Sequence, residues 1–228
     1  MRNFLSTSTR LLIKYRLHLV KLFFGVFIPL LIFGKLVEAV WDDEGLDWDI
    51  PLLQFIHSYA TPARDAVVIF ITRLGSIRVM LLFTAAIFVI LLKLKQQRKA
   101  LFFLLAAGGA MVINFLAKLF FHRARPTLWM SPAPEDDYSF PSAHAMGTMA
   151  VISAIAILTW PTRWRWPMLI LGGLFVLTVG LSRVYLGVHF PSDIMAGWSA
   201  SLAWVTGLYQ ILSSQFLQSW LSQRRAPK

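Results

Sequence analysis

The chain has 228 residues, of which 57% are hydrophobic, 14% charged and none cysteine, and its mean hydropathy is +0.63. The length allows one domain and the composition is too apolar for a soluble one; without cysteine, a disulfide framework, a thiolate nucleophile and a Cys-ligated zinc or iron–sulfur site are all excluded. A net charge of +11 would raise nucleic acid as a partner in a soluble protein, but long stretches here carry no charge, so a membrane accounts for the cations first.

In chain order, residues 1–21 read as a basic cytoplasmic N-terminus leading into a retained anchor, because the apolar stretch that follows is long and no small-x-small cleavage site ends it. The first predicted span is 22–41. Residues 42–73 are too polar to cross and too apolar for a plain loop. Within them, Ile50, Leu52, Leu53, Phe55, Ile56 and Tyr59 predict an amphipathic helix in the outer interface, and Thr61-Pro62 predicts the N-cap and first-turn proline of a second short helix. Residues 74–212 supply five more spans, at 74–92, 100–121, 141–160, 167–186 and 192–212, and 213–228 form a basic amphipathic tail on the inner leaflet. Each span approaches the roughly 20 apolar residues a bilayer requires. The fourth and fifth fall short and need their polar ends in a protein-lined cavity. Trp41, Trp48, Trp129, Trp160, Trp164, Trp166 and Trp220 fall near span ends, at headgroup depth. The expected fold is all-α: a single membrane domain of six transmembrane helices with an outer interfacial helical segment. No internal repeat supports an inverted-repeat transporter.

Charge sets the orientation. Six spans put both termini on one side, and that side collects Arg2, Arg10, Lys14, Arg16, Lys21, Lys93, Lys95, Arg98, Lys99, Arg163, Arg165, Arg224, Arg225 and Lys228 with no acidic residue. All 11 Asp and Glu fall on the other. Both termini are therefore expected in the cytoplasm.

Ionisable residues near membrane depth are costly and mark function. They form three clusters on the outer face. Lys118 and Arg125 are two helical turns apart, so they share a face if the helix continues, and Pro126 marks where it should stop. Pro141-Ser142-Ala143-His144 opens the fourth span after the acidic run 135–137, its first-turn amides and the Ser142 hydroxyl forming an anion site; capping is the plainer reading of Ser142. Ser182, Arg183, His189 and Asp193 follow, with His189 and Asp193 close enough for the carboxylate to fix the imidazole tautomer. His144, His189 and Asp193 have the composition of a two-His-one-carboxylate metal site. The cations Lys118, Arg125 and Arg183 would repel a metal yet clamp a phosphate, so no metal or other cofactor is expected.

The patterns K-x6-R-P at 118–126, P-S-x-H at 141–144 and S-R-x5-H-x3-D at 182–193 resemble, in order, the three-part signature of the type 2 phosphatidic acid phosphatase (PAP2) superfamily. The resemblance covers roughly residues 74–212 and suits its six-span bacterial members. Ala143 departs from the more frequent glycine; alanine keeps the N–H, which suffices unless that position needs positive φ. The resemblance implies His189 as nucleophile forming a phosphohistidine, Asp193 orienting it, His144 as general acid and base, and Lys118, Arg125, Ser142, Ala143 and Arg183 holding the phosphoryl oxygens. It implies a metal-independent lipid phosphate or pyrophosphate phosphatase of the cytoplasmic membrane, its site on the outer face. Polyprenyl pyrophosphate, phosphatidylglycerophosphate and phosphatidate are the substrate classes; membrane lipids are the other partners. A lipid phosphotransferase uses the same motifs, and a non-enzymatic lipid transporter would leave both histidines and Asp193 without a role. A soluble haloperoxidase is excluded by the spans. Arg123 and His122 lie outside the signature and receive no role.

Overall fold

A computed structural model describes Arg16 and residues 19–41 and 45–213. The basic segments expected at 1–21 and 213–228 lie largely outside these, as does Trp220.

The described residues are helical, with no strand. Helix α1 (Leu19–Trp41) contains a π-helical stretch, Phe23–Phe27, and two of its charged residues, Lys35 and Glu38, pair one turn apart at 2.6 Å. Such pairing lowers the cost of charge near lipid. Helices α2 (Asp49–His57) and α3 (Pro62–Leu74) are the two short helices expected of the interfacial segment. The Thr61 hydroxyl accepts from the Arg64 N–H at 3.4 Å and Pro62 occupies the first turn, where its missing N–H costs nothing. Leu53 points inward and is wholly buried, while Ile50, Phe55 and Tyr59 lie on the outside.

Four longer helices follow: α4 (Ile77–Lys93), α5 (Gln97–Phe121), α6 (Ala143–Thr159) and α7 (Arg165–Tyr185). The last is α8 (Pro191–Ser213). Helix α6 sits at the centre, packed on α5, α7 and α8. Its neighbours approach closely because small residues recur one turn apart, Ala106 and Ala110 on α5 and Ala150 and Ala154 on α6, all without exposed surface. Around them Phe102, Phe103, Met146, Val151 and Val205 complete the core. The polar Ser201 is accommodated by donating to the Met146 carbonyl at 2.7 Å. The outer surface is apolar, with Phe70, Leu82, Phe115 and Leu171 all more than 60% exposed. A surface of this kind is solvated by lipid, and the protein is a multi-pass membrane protein.

Judged by length and composition alone, α1, α5 and α7 can cross a membrane, and a fourth crossing counts if α3 and α4, bent by 40° at 75–76, are one broken span. The six independent apolar spans expected from the sequence are thus only partly matched. The reason is physical. Helices α4 and α6 have 17 residues each, about 26 Å of helix against a hydrocarbon core of about 30 Å. Helix α6 also turns its small and polar residues into the bundle, where no lipid tests them.

Candidate active site

Helix α5 ends at Phe121, where the third span was expected to end, and does not continue to Pro126. His122 adopts a left-handed conformation, φ 50°, and its N–H returns to the Lys118 carbonyl at 3.2 Å, a helix-terminating geometry that histidine tolerates better than most residues. Lys118 and Arg125 therefore do not share a helical face. Lys118 sits buried in the last turn, whereas Arg125 lies in the irregular segment beyond, and both still reach Asp137.

The segment 122–142 then crosses back to open α6. It is pinned at both ends: the Ser139 N–H donates to the Arg123 carbonyl at 2.9 Å, and Asn114 on α5 donates to the Pro141 carbonyl at 2.9 Å. Ser142 is the N-cap of α6, accepting from the Ala145 N–H at 3.5 Å, and is wholly buried, so the capping reading of this serine holds while its own proton stays available to donate. Ala143 opens the helix without positive φ, so replacing glycine there introduces no strain. Gly197 on α8 explains the closeness of the two helix starts. A Cβ there would lie 3.0 Å from the Ser142 carbonyl oxygen and 3.1 Å from the Met146 nitrogen, close enough that any larger residue would push the two helix starts apart by a few tenths of an ångström.

Arg183, at the end of α7, is 2% exposed and donates to Thr72 on α3 at 2.8 Å. Its other terminal nitrogen binds Glu135. Its Nε is buried without a partner among the described residues. Four residues past α7, His189 is wholly buried. Arg125 approaches its Nε2 at 3.1 Å, and because a guanidinium can only donate, Nε2 is the acceptor and carries the lone pair. The proton then sits on Nδ1, 3.3 Å from the Asp193 carboxylate that receives it. Burial, with Arg125 and Arg183 nearby, pushes the His189 pKa well below the usual histidine range, so the ring is neutral at physiological pH.

Between the two histidines stands a carboxylate. Glu135 lies 3.8 Å from His189 Nε2 and 3.9 Å from His144 Nδ1, is held by Arg125 at 2.8 Å, and pairs with Arg183. Asp137 beside it bridges Lys118, at 2.5 Å, and Arg125. Burial opposes ionisation of both carboxyls, but the cations more than offset it: Arg183 and Arg125 hold Glu135 below the ordinary range, and Lys118 and Arg125 do so for Asp137. The cations thus converge on one anion seat, with a neutral imidazole lone pair facing it. Such a seat stabilises the oxygens of a transferring phosphoryl group.

Lys118, Arg125, His144, Arg183, His189 and Asp193 are therefore brought together, with Ser142 and Ala143 at the adjoining helix start. Ser182 is not: its hydroxyl donates to the Val179 carbonyl at 2.6 Å. Trp129 differs from the expected interface anchor, stacking on His57 with ring centroids 3.7 Å apart. Sequence reasoning gave no role to Glu135, Asp137, Thr72, Asn114, Asp49 or Arg123. Asp193 accepts from Arg123 at 2.5 Å, and Arg123 also pairs with Asp49. Beside Arg123 and Arg125 a cavity of about 440 Å³ opens, walled by Val40, Leu46, Phe121 and Phe190.

The family model described as PAP2 superfamily matches residues 99–216. An undecaprenyl-diphosphatase of Sulfolobus acidocaldarius is 27% identical over 184 residues, 78% of this chain and 84% of that protein. Phosphatidylglycerophosphatase B of Bacillus subtilis is 35% identical over 99 residues, 40% of this chain and 47% of that one. Among solved structures, the transmembrane PAP2-type phosphatidylglycerolphosphate phosphatase of Bacillus subtilis superposes with a TM-score of 0.75 and 25% identity, covering 85% of this chain and 99% of that one. Aquifex aeolicus LpxE shares the fold, with a TM-score of 0.61, 22% identity and coverage of 72% and 96%. With motifs, family model and fold in agreement, the chain belongs to the PAP2 superfamily and is a phosphatase.

Proposed function

We propose that the protein is a metal-independent lipid phosphate or pyrophosphate phosphatase working through a phosphohistidine on His189. The observation that carries this reading is the pairing of a neutral His189, its Nε2 lone pair free of protons and its Nδ1 on Asp193, with an anion seat built by Arg125 and Arg183. A terminal phosphate takes the place of the Glu135 carboxylate. Nε2 attacks phosphorus as the bond to the leaving oxygen breaks, and His144 gives that oxygen a proton. Asp193 stabilises the resulting imidazolium. Water, losing a proton to His144, then attacks phosphorus and frees His189 and phosphate. Lys118, Arg125 and Arg183, with Ser142 and the first amides of α6, hold the phosphoryl oxygens, so the electrophilic assistance comes from the protein and requires no metal.

The names of the relatives favour an undecaprenyl-diphosphate-like or phosphatidylglycerophosphate-like substrate. The charge distribution supports six crossings with both termini in the cytoplasm and the site on the outer face of the cytoplasmic membrane. The test is phosphate release by purified protein across lipid monophosphates and pyrophosphates, with and without EDTA. Release that is indifferent to EDTA is expected. Loss in EDTA with recovery on adding a divalent ion overturns the metal-free reading, and phosphate found on a lipid or sugar acceptor makes the protein a phosphotransferase.

A further inference from the structure

Asp193 uses its two carboxylate oxygens for different purposes. Oδ2 faces His189 Nδ1 at 3.3 Å and accepts the Phe190 N–H at 2.8 Å. Oδ1 accepts from Arg123 Nη1 at 2.5 Å. The residue has no exposed surface, and a carboxylate so placed takes up a proton unless a cation stands beside it. Arg125 and Arg183 direct their hydrogen bonds to Asp137, Tyr138, Glu135, Val188, His189 and Thr72. Arg123 is the guanidinium on Asp193.

Arg123 is itself held from three directions. Asp49, at the start of α2, pairs with it at 3.1 Å; the Ser192 hydroxyl accepts from it at 2.8 Å; and the Phe190 ring lies beneath it, 4.2 Å from guanidinium carbon to ring centroid. Asp49 also receives both the N–H and the hydroxyl of Ser192, at 2.9 and 2.5 Å. The ring of contacts joins α2, the segment after α5 and the start of α8. Two carboxylates to one guanidinium leave one negative charge in excess, on the side of His189. Without Asp49, Arg123 would cancel the charge of Asp193; without Arg123, Asp193 would not keep it.

We propose that Arg123 and Asp49 are positioning residues for phosphoryl transfer: Arg123 holds Asp193 ionised and aligned with His189 Nδ1, and Asp49 anchors Arg123 and leaves the network the negative charge that stabilises the phosphorylated imidazolium. This rests on the phosphatase reading above. Among the described residues, neither bonds to Lys118, Arg125, Arg183 or Glu135, but both line the cavity beside Arg125, so the division of the effect between kcat and KM is what separates a positioning role from contact with substrate.

The His189–Asp193 pair is faced by Arg123 and Asp49 on one side and by Arg125, Arg183, Lys118 and Glu135 on the other, with His144 across Glu135. The experiment changes only the first two and measures the pH dependence of kcat and KM for a lipid phosphate that the wild type hydrolyses, with thermal melting as the check on folding. In R123Q a nearby positive charge is lost, so both members of the pair bind protons more readily, and the acid limb of kcat moves to higher pH by about one to three units. At neutral pH kcat falls on the order of a hundredfold, as when the orienting partner of a catalytic histidine is disturbed, while KM stays within about twofold. D49N removes a negative charge instead; the acid limb moves to lower pH and kcat still falls, by about tenfold, because the imidazolium is less stabilised. R123K keeps the charge and returns the acid limb towards wild type. Opposite shifts from two neighbouring residues are not produced by loosened packing. If R123Q does not fold, the isosteric D49N decides: a downward shift supports the proposal, and an unmoved or upward limb overturns it. Limbs that move together in the two folded variants, or a KM that rises in step with the loss of kcat, also overturn it. A wild type inactive on every lipid phosphate overturns the phosphatase reading as well; an active wild type beside unaffected variants overturns only this inference.

Discussion

His189 and His144 face the same carboxylate from unequal settings. His189 is wholly buried and engaged at both ring nitrogens, by Arg125 and Asp193, whereas the side chain of His144 is 13% exposed and meets Glu135 only at 3.9 Å. A ring fixed on both sides suits attack, and a ring freer to move suits proton transfer to a leaving group and then from water. His189→Ala should abolish both phosphoenzyme and turnover. His144→Ala keeps the nucleophile and loses general acid–base help worth about 10²–10⁴-fold. Since pyrophosphate leaves as a stable phosphate anion and needs less protonation than an alkoxide, that loss should be smaller on pyrophosphates than on monoesters. Trapping the phosphoenzyme in both variants checks the assignment, and a phosphohistidine that persists in His189→Ala reverses it. These residues were legible in the sequence because ionisable side chains stand out in a chain that is 57% hydrophobic. Asp49 was not legible, since its partner Arg123 lies 74 residues away and nothing local marks either as buried.

At the scale of elements, the segment 122–142 supplies Arg125, which grips the anion seat, and the Glu135 carboxylate, which sits in it. The same connection therefore presents a competitor to any phosphate. Glu135 is held ionised at neutral pH by Arg183 and Arg125 despite its burial, so a substrate must displace a charged group from its ion pairs. Glu135→Gln preserves the shape and removes the charge. KM is expected to fall by about tenfold, equivalent to about 1.4 kcal/mol, without a lower kcat, measured under steady-state conditions on the substrate the wild type prefers. An unchanged or raised KM would show that the carboxylate contributes to substrate binding. The element boundaries themselves were less legible. The sequence reading ended the third span near 121 and put Lys118 and Arg125 on one face only if the helix continued towards Pro126; the left-handed residue His122 ends it first.

For the molecule as a whole, the chain alternates its ends so that the starts of α6 and α8 and the ends of α5 and α7 meet at one pole. The turn joining α4 to α5 lies a full helix away, about 37 Å for the 25 residues of α5. If that pole faces outward, a membrane-impermeant thiol reagent applied to intact cells should label a cysteine placed at Asp136 and leave one at Gln96 untouched. The native chain has no cysteine, so the labelling carries no background. The reverse pattern would invert the proposed topology.

Composition alone determined that the protein belongs in a membrane, since burying or lipid-solvating so much apolar surface leaves no soluble alternative, and motif spacing alone determined the family. Spacing is local, and so are the cap at Thr61 and the helix start at Ser142; each was readable from neighbours within a turn. Tertiary structure decided what the charges do to one another. Whether Arg123 meets lipid headgroups or Asp193, and whether Glu135 is a solvated loop residue or the occupant of the anion seat, depends on helices brought together from distant parts of the chain. It also decided how many helices must be apolar all round, because a helix enclosed by its neighbours, as α6 is, presents its polar and small residues to protein and is not selected for its affinity for lipid.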